Sequence, residues 1–375
     1  MDILTAEEFL SHKSLTKDYT HRFFYNESPS YNINTDISNV WAQLYFVNIE
    51  DQWIPIAIPD SDKPNCYVCS PYSHYIVYAR EEVELISSRT LRFISKLLIK
   101  FLDHFYTKIN IDDVVYINNW FLSTNLYPKL SNKVWIQLIK VIKEKFPTKT
   151  IMLRSLNEQH HKDLINTCLK LGFKKIASRQ IYCTEPWNPS IYKKRDYKND
   201  KKLFERSEYK VLRNDDFSTQ NIDRILGLYN QLYLDKYTNL NPHFTSEFIY
   251  KAIKSDTFFL MGLEKEGRID AILGYFIREQ IMTTPLFGYD LSVSPKEGLY
   301  RLLSFLLLKE SEDKNLILNQ SSGAGPFKLN RGAQKIIEYN LYDDSSANKK
   351  QRRGWKILNY LATQFFEPML RKKDF

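Results

Sequence analysis

The chain has little from which to build a metal centre or a disulfide framework. Its 375 residues include four cysteines: Cys66, Cys69, Cys168 and Cys183. Cys66 and Cys69 make one CxxC within NCYVCSPYSHY, but no stretch supplies a second ligand pair at zinc-site spacing, and only His74 lies nearby. The expectation is therefore no metal, with the CxxC segment read as a strand in a reducing compartment. Long apolar runs are also missing. None approaches the roughly 18 residues of a membrane-spanning helix, so no membrane span is expected. The opening residues, MDILTAEEFLSHKS, are acidic where a secretory leader is basic and have no long apolar core. The expected location is the cytoplasm.

What is present points to a packed protein with anionic partners. Hydrophobic residues make up 43% and aromatics 14%, which excludes a disordered chain, and the length suits two domains of ordinary size. The net charge of +9 favours a CoA pyrophosphate, a tRNA or an anionic lipid without choosing among them. Part of the lysine excess lies in KKRDYKNDKK and in the tail from Lys349 to Lys373. Such runs are commonly solvated faces or linkers.

Punctuation divides the chain into residues 1–183, a basic linker at 184–207 with two prolines and no hydrophobic period, and residues 208–375 ending in a basic helix. In the first part, WAQLYFVNI, WIPIAIP, NCYVCS, HYIVYA, VVYINNWFLS, TIMLRS and FKKIASRQIYC read as strands. VELISSRTLRFISKLLIKFLDHFY, SNKVWIQLIKVIKEKF and NEQHHKDLINTCLKLG read as helices, the last with Asn157 as N-cap. In the second part, strand YKVLR precedes helices capped by Ser218 and Thr245, and Glu266-Gly267 marks a hairpin turn. The order from VVYINN to QIY is repeated from DLSVSP to NLY, which predicts two like domains of mixed α/β architecture.

The best-equipped stretch is Phe287–Asp343: strand, turn, helix, strand, helical turn, strand. The helix opens at KEG, where Gly298 and the first N–H groups, of Leu299, Tyr300 and Arg301, offer an anion site. Arg301 is either the charge that completes this site or an ordinary surface arginine.

The order of elements resembles the GNAT (GCN5-related N-acetyltransferase) fold. SLNEQHHKDLINTCLKLGFKKIASRQIY looks like that family's closing segment, and SVSPKEGLYRLLSFLLLKE looks like its donor-binding segment. The family's usual R/Q-x-x-G-x-G/A turn is shortened here to KEGLYR. GPFKLNRGAQKIIEYNLYD also resembles the tandem-GNAT FemAB-like transferases at Phe327, Lys328 and Gly332. The resemblance implies two tandem GNAT-like acyltransferase domains, with the donor site in the second. Donor binding is lost in the first, where NNWFLSTNLYP lacks the glycine turn and shapes the acceptor site instead. An acyl-CoA or acetyl-CoA donor would lie along Leu291, Ser292 and Val293, with its phosphates at Gly298–Arg301. FemAB-like proteins instead take an amino acid from aminoacyl-tRNA and pass it to an amine.

Asp290 and Glu338 are the candidate general bases; Glu338 lies in KIIEYNL, either facing outward or buried with a raised pKa. Tyr289, Tyr300 and Tyr339 are candidates to orient substrate or protonate a leaving group. Ser321, Ser322 and Gly323, followed by Lys328 and Arg331, form a small-residue loop beside two cations, suited to a carboxylate, a phosphate or a developing oxyanion. The readings that follow are transfer from an acyl-CoA to the primary amine of a small molecule or peptide, transfer from aminoacyl-tRNA, and a non-catalytic binding protein.

Overall fold

The computed structural model describes residues 2–12, 18–24, 31–50, 52–84 and 89–372. Residues 85–88 of the first long predicted helix, and Lys373 of the basic tail, lie outside the described residues. The first half contributes strands β1 (Ile3–Thr5), β2 (Ala42–Ile49), β3 (Gln52–Pro59), β4 (Val114–Ile117), β5 (Thr150–Leu156) and β6 (Lys174–Thr184). The second contributes β7 (Lys210–Arg213), β8 (Phe258–Lys265), β9 (Arg268–Arg278), β10 (Ile281–Tyr289), β11 (Ile317–Asn319) and β12 (Gln334–Asp343).

All twelve form one sheet in the order β1-β2-β3-β4-β5-β12-β6-β11-β10-β9-β8-β7. The order maps onto itself when the halves are exchanged. β4 and β5 are parallel, as are β10 and β11, and the remaining neighbours are antiparallel. Each half lends its last strand to the other: β12 lies between β5 and β6, and β6 lies between β12 and β11. The predicted duplication is thus a pseudo-twofold pair of GNAT-like units sharing a continuous sheet.

The helices are α1 (Ala6–Ser11), α2 (Tyr19–Phe24), α3 (Tyr78–Val83), α4 (Arg89–Ile109), α5 (Asn132–Lys145), α6 (Lys162–Lys170), α7 (Arg195–Arg206), α8 (Ile222–Asn230), α9 (Ser246–Lys254), α10 (Leu299–Asp313), α11 (Gly325–Leu329), α12 (Lys349–Leu361) and α13 (Glu367–Lys372). α5 and α6 cover one face of the first half with Trp135, Leu138, Ile142, Ile165 and Cys168 in its core. α10 buries Leu302, Leu303, Leu306 and Leu307 against the second.

Four expectations are corrected. NCYVCS and HYIVYA form no strands; residues 66–69 turn, and the chain then enters a helix with a π segment at Ser73–Val77. Ser70 Oγ accepts from the Ser73 N–H at 2.8 Å and the Asp112 carboxylate from the Tyr72 N–H at 2.9 Å, so capping overrides the β-branched and aromatic composition. The strand read from VVYINNWFLS ends at Ile117. α6 starts after His161, and Asn157 instead closes a turn by accepting from the His160 N–H. The expected linker carries α7, whose buried face holds Tyr197 and Asp200.

Gly288, on β10, is a point of close approach. A Cβ there would lie 2.4 Å from the Leu228 carbonyl oxygen of α8. Gly288→Ala is expected to cost about 2 kcal/mol through overpacking against main chain, read as a lower denaturant midpoint at unchanged m-value.

Candidate active site

The parallel strands β10 and β11 separate. They pair only from Ile281–Thr283 to Ile317–Asn319, and a register shift between Thr283 and Leu286 follows on β10. Beyond Thr283, β10 continues to Tyr289 beside β9 alone, while residues 320 and 321 turn towards β6, where the Gln320 N–H donates to the Tyr182 carbonyl. Aromatic rings gather around this separation. Tyr300 lies 4.6 Å from Phe327, 5.6 Å from Phe287 and 6.0 Å from Tyr289, measured between ring centroids. Tyr67, Tyr237, Tyr300 and Arg179 all lie close enough to influence ionisation of the half-buried Tyr233.

Lys328 is buried on the other side, 7% exposed. α11 presents it beneath the loop after β11, where its Nζ donates to the carbonyls of Gln320 at 2.7 Å and Ser322 at 2.9 Å, with Ser321 at 3.4 Å. Burial, together with the nearby Arg179 charge, pulls its pKa down to about 7. Ser321 adopts a left-handed conformation, φ 56°, and Ser322 and Gly323 are exposed beside it.

Glu338 is buried, not outward. On β12 it stands opposite Arg179 of β6, which donates to its carboxylate from Nε at 2.8 Å. Burial alone would lower the Arg179 pKa, but Glu338 beside it holds the guanidinium charged. Arg179 also donates to Thr124 Oγ1 at 2.9 Å. The pair therefore sits where the exchanged strands of the two halves meet. His74 packs nearby with its Nε2 3.1 Å from Ser178 Oγ, and burial with the charges of Arg154 and Arg179 pushes its pKa down to about 3. Tyr339, the next residue on β12, donates from its hydroxyl to Glu367 at 2.8 Å and accepts from Arg371 at 2.9 Å. It is thus engaged by α13.

Asp290 is locked. Its carboxylate accepts from Ser292 N–H at 2.8 Å, Ser292 Oγ at 2.6 Å and Arg224 Nη2 at 2.6 Å. Burial opposes ionisation, but the Ser292 and Arg224 hydrogen bonds outweigh it and hold the pKa at about 2. Such a carboxylate is a weak base. Because this folded pKa lies below the unfolded one, its stabilisation is present above about pH 4 and lost as pH falls towards 2. Asp290→Asn is expected to remove about 2 kcal/mol near neutral pH. The gap between the two proteins should close on acidification, as read by urea unfolding at stepped pH.

The donor strand expected at DLSVSP is a turn: Leu291, Ser292 and Val293 follow the end of β10 and are not in the sheet. Gly298 is left-handed at φ 70° and opens α10 as expected, but α7 covers it. A Cβ on Gly298 would lie 2.8 Å from Leu203 Cδ2. The Arg301 N–H is bonded to the Gly298 carbonyl, and Leu299 is buried. Arg301 Nε donates to Asp200 at 2.6 Å, and Arg331 Nε donates to the other oxygen of the same carboxylate. Arg331 also stacks on Phe327, 3.3 Å from the ring centroid, and its Nη1 donates to the Phe327 carbonyl. The cation offered to a donor phosphate is therefore occupied by a buried aspartate.

Asp200, Tyr67 and Tyr233 are the site residues that the sequence reading missed. The signal for Asp200 was the helical spacing of Tyr197, Asp200, Leu203 and Phe204 within an otherwise cationic run. Among the described residues no cluster of His, Cys, Asp or Glu is placed to hold a metal ion, and all four cysteines are buried free thiols.

No family model and no curated protein matches this chain in sequence. Solved structures match by shape. The crystal structure of FemX superposes on 82% of this chain and 89% of its own, with a TM-score of 0.50 at 8% identity. L-PGS from Bacillus licheniformis covers 70% of this chain and 96% of its own at 11% identity and TM-score 0.46. A GCN5-related N-acetyltransferase from Kribbella flavida covers 62% and 82% at 10% identity and TM-score 0.30. The chain has a GNAT-like fold in the tandem, FemAB-like arrangement.

Proposed function

We propose that the chain is an N-acyltransferase working at the separation of β10 and β11, and that its donor is an aminoacyl ester of tRNA, not an acyl-CoA. The observation that carries the donor choice is α7. Its buried face fills the helix start that a CoA pyrophosphate would use, with Asp200 taking both Arg301 and Arg331. Its other face exposes Arg195, Lys198, Lys201, Lys202 and Arg206 beside the same helix. A polyanion tracking over the surface suits that face better than one pyrophosphate in a socket.

In the reaction, the acceptor amine nitrogen bonds to the acyl carbon and the bond from that carbon to the ribose oxygen breaks. The proton lost by the amine leaves with the ribose hydroxyl. The Lys328 ammonium, and the Arg179 charge held by Glu338, stabilise the oxyanion between these steps. Tyr289, Tyr300 and Phe327 flank the acyl group. In the first half, Asn118 donates to the Leu126 carbonyl and accepts from Trp120 Nε1, so its own loop fills the end of β4. That half shapes the acceptor side.

Filter binding and thermal shift with a pool of charged tRNA, acetyl-CoA and longer acyl-CoAs test the donor. Charged tRNA should bind with strong salt dependence, weakened by Lys198→Glu with Lys202→Glu. Stabilisation by a CoA thioester with no tRNA binding would reverse the donor choice and leave the acyltransferase reading standing. Transfer that survives Lys328→Ala and Arg179→Ala unchanged would move the site away from these residues, and no transfer from any of these donors would remove the acyltransferase reading too.

A further inference from the structure

The amphipathic pattern of α4 leads to an expectation that the structure does not fulfil. Such a helix ordinarily turns its apolar stripe to the core. Among the described side chains of the helix only those of the last turns do so: Leu102, Tyr106 and Ile109 are buried. α12 clamps that end, since the Tyr106 hydroxyl donates to the Gly354 carbonyl at 3.0 Å and a Cβ on Gly354 would lie 2.1 Å from Ile109 Cδ1. The preceding turns present a second apolar stripe to solvent. Phe93 is 62% exposed, Ile94 56%, Leu97 55%, Leu98 48% and Phe101 67%. At 100° per residue these five share one continuous face. A contiguous exposed stripe of this size marks an interaction surface.

Its charge setting says what covers it. Arg89, Lys96 and Lys100 lie along one edge of the stripe, each three or four residues from Phe93 or Leu97. No Asp or Glu occurs in α4 before Asp103. Lys96 meets Glu84 at an exposed contact of 2.8 Å, which leaves its ammonium at the surface. A protein groove would be expected to answer these cations with carboxylates at fixed points. An anionic lipid surface answers them with diffuse charge and takes up the stripe in its acyl boundary. α12, packed beside α4, adds exposed Tyr360 among exposed Arg352, Arg353 and Lys356.

We infer that α4 is an interfacial helix that docks the protein on an anionic membrane surface, inserting Phe93, Leu97 and Phe101 while Arg89 and Lys100 meet the headgroups. No helix among the described residues is long and apolar enough to cross a membrane, and this mode needs none. The inference stands on α4 and the neighbouring face of α12 and is independent of the donor.

The test is co-sedimentation of the full chain with phosphatidylcholine vesicles, pure or containing about one-third phosphatidylglycerol. Binding should require the anionic lipid and weaken with salt. Leu97→Glu with Phe101→Glu, and separately Arg89→Glu with Lys100→Glu, should each weaken it by about ten-fold or more at an unchanged unfolding midpoint. Both pairs are solvent-exposed, so the second serves if the first fails to fold. No sedimentation with anionic vesicles, or sedimentation of both variants equal to that of the wild type, overturns the inference. A lipid-free dimer abolished by the first pair, with no vesicle binding, would assign the stripe to a second copy of this chain.

Discussion

Asp200→Ala is expected to destabilise the protein by about 3–5 kcal/mol, because it leaves two arginines without the carboxylate that neutralises them. Asp200 is 1% exposed and holds Arg301 and Arg331 on separate oxygens. Arg331 is itself buried and fixed over Phe327, so it has little room to swing into water. Asp196 stands 3.6 Å from Arg331 and offers only a partial substitute. The measurement is urea unfolding of wild type, Asp200→Ala and the triple variant Asp200→Leu, Arg301→Met, Arg331→Met. Asp200 and Arg331 are buried while Arg301 is half-exposed, and such an ionic cluster contributes little net stability once every charge is removed, so the triple variant should recover most of the loss. If all three proteins unfold at one midpoint, the triad does not anchor α7. The same variants bear on function: release of α7 should free the start of α10 and weaken salt-dependent binding of charged tRNA together.

The origin of that triad shows where sequence reading stopped. The duplication was visible because both halves keep the same succession of helix and strand. The exchange of β6 and β12 was not, since nothing local in KKIASRQIY or QKIIEYNLY tells a strand which neighbour it will pair with. The helix α7 was hidden by composition. Its lysines mask a face of Tyr197, Asp200, Leu203 and Phe204, and a polar average over the segment reads as a linker. DLSVSP is a turn and not a strand for a related reason. DLSVSP has the apolar alternation of a strand, but the Asp290 carboxylate captures the N–H and hydroxyl of Ser292 and turns the chain out of the sheet. Glu338 and Lys328 could be named from sequence, whereas the partners that define their chemistry, Arg179 and the carbonyls of residues 320–322, depend on tertiary placement. In α4 the periodicity was legible and its meaning was not, because hydrophobic spacing does not say whether the core or something outside the chain receives the stripe.

Lys328→Met is expected to lower the transfer rate by about 10²–10³, the scale of losing one preorganised charge that stabilises an oxyanion. A purely structural lysine would show its loss in stability alone, so pH separates the two roles. Burial and the Arg179 charge bring the Lys328 pKa down to about 7 from an ordinary value of 10.5. If the ammonium acts in transfer, the wild-type rate should fall as pH rises through about 7, and the residual rate of the variant should lack that limb. The stability profile carries a second, independent sign. Between about pH 7 and 10 the folded amine is neutral while the unfolded one still binds a proton, so the unfolded state holds more protons and wild-type stability rises with pH. Lys328→Met has no such proton, and the stability difference should move in favour of wild type across that window. Single-turnover transfer measured from pH 6 to 10, beside urea unfolding at the same values, reads both. A rate limb that persists in the variant would assign the titration to another group, with Lys328 then serving only to hold the loop of Gln320–Ser322 in place.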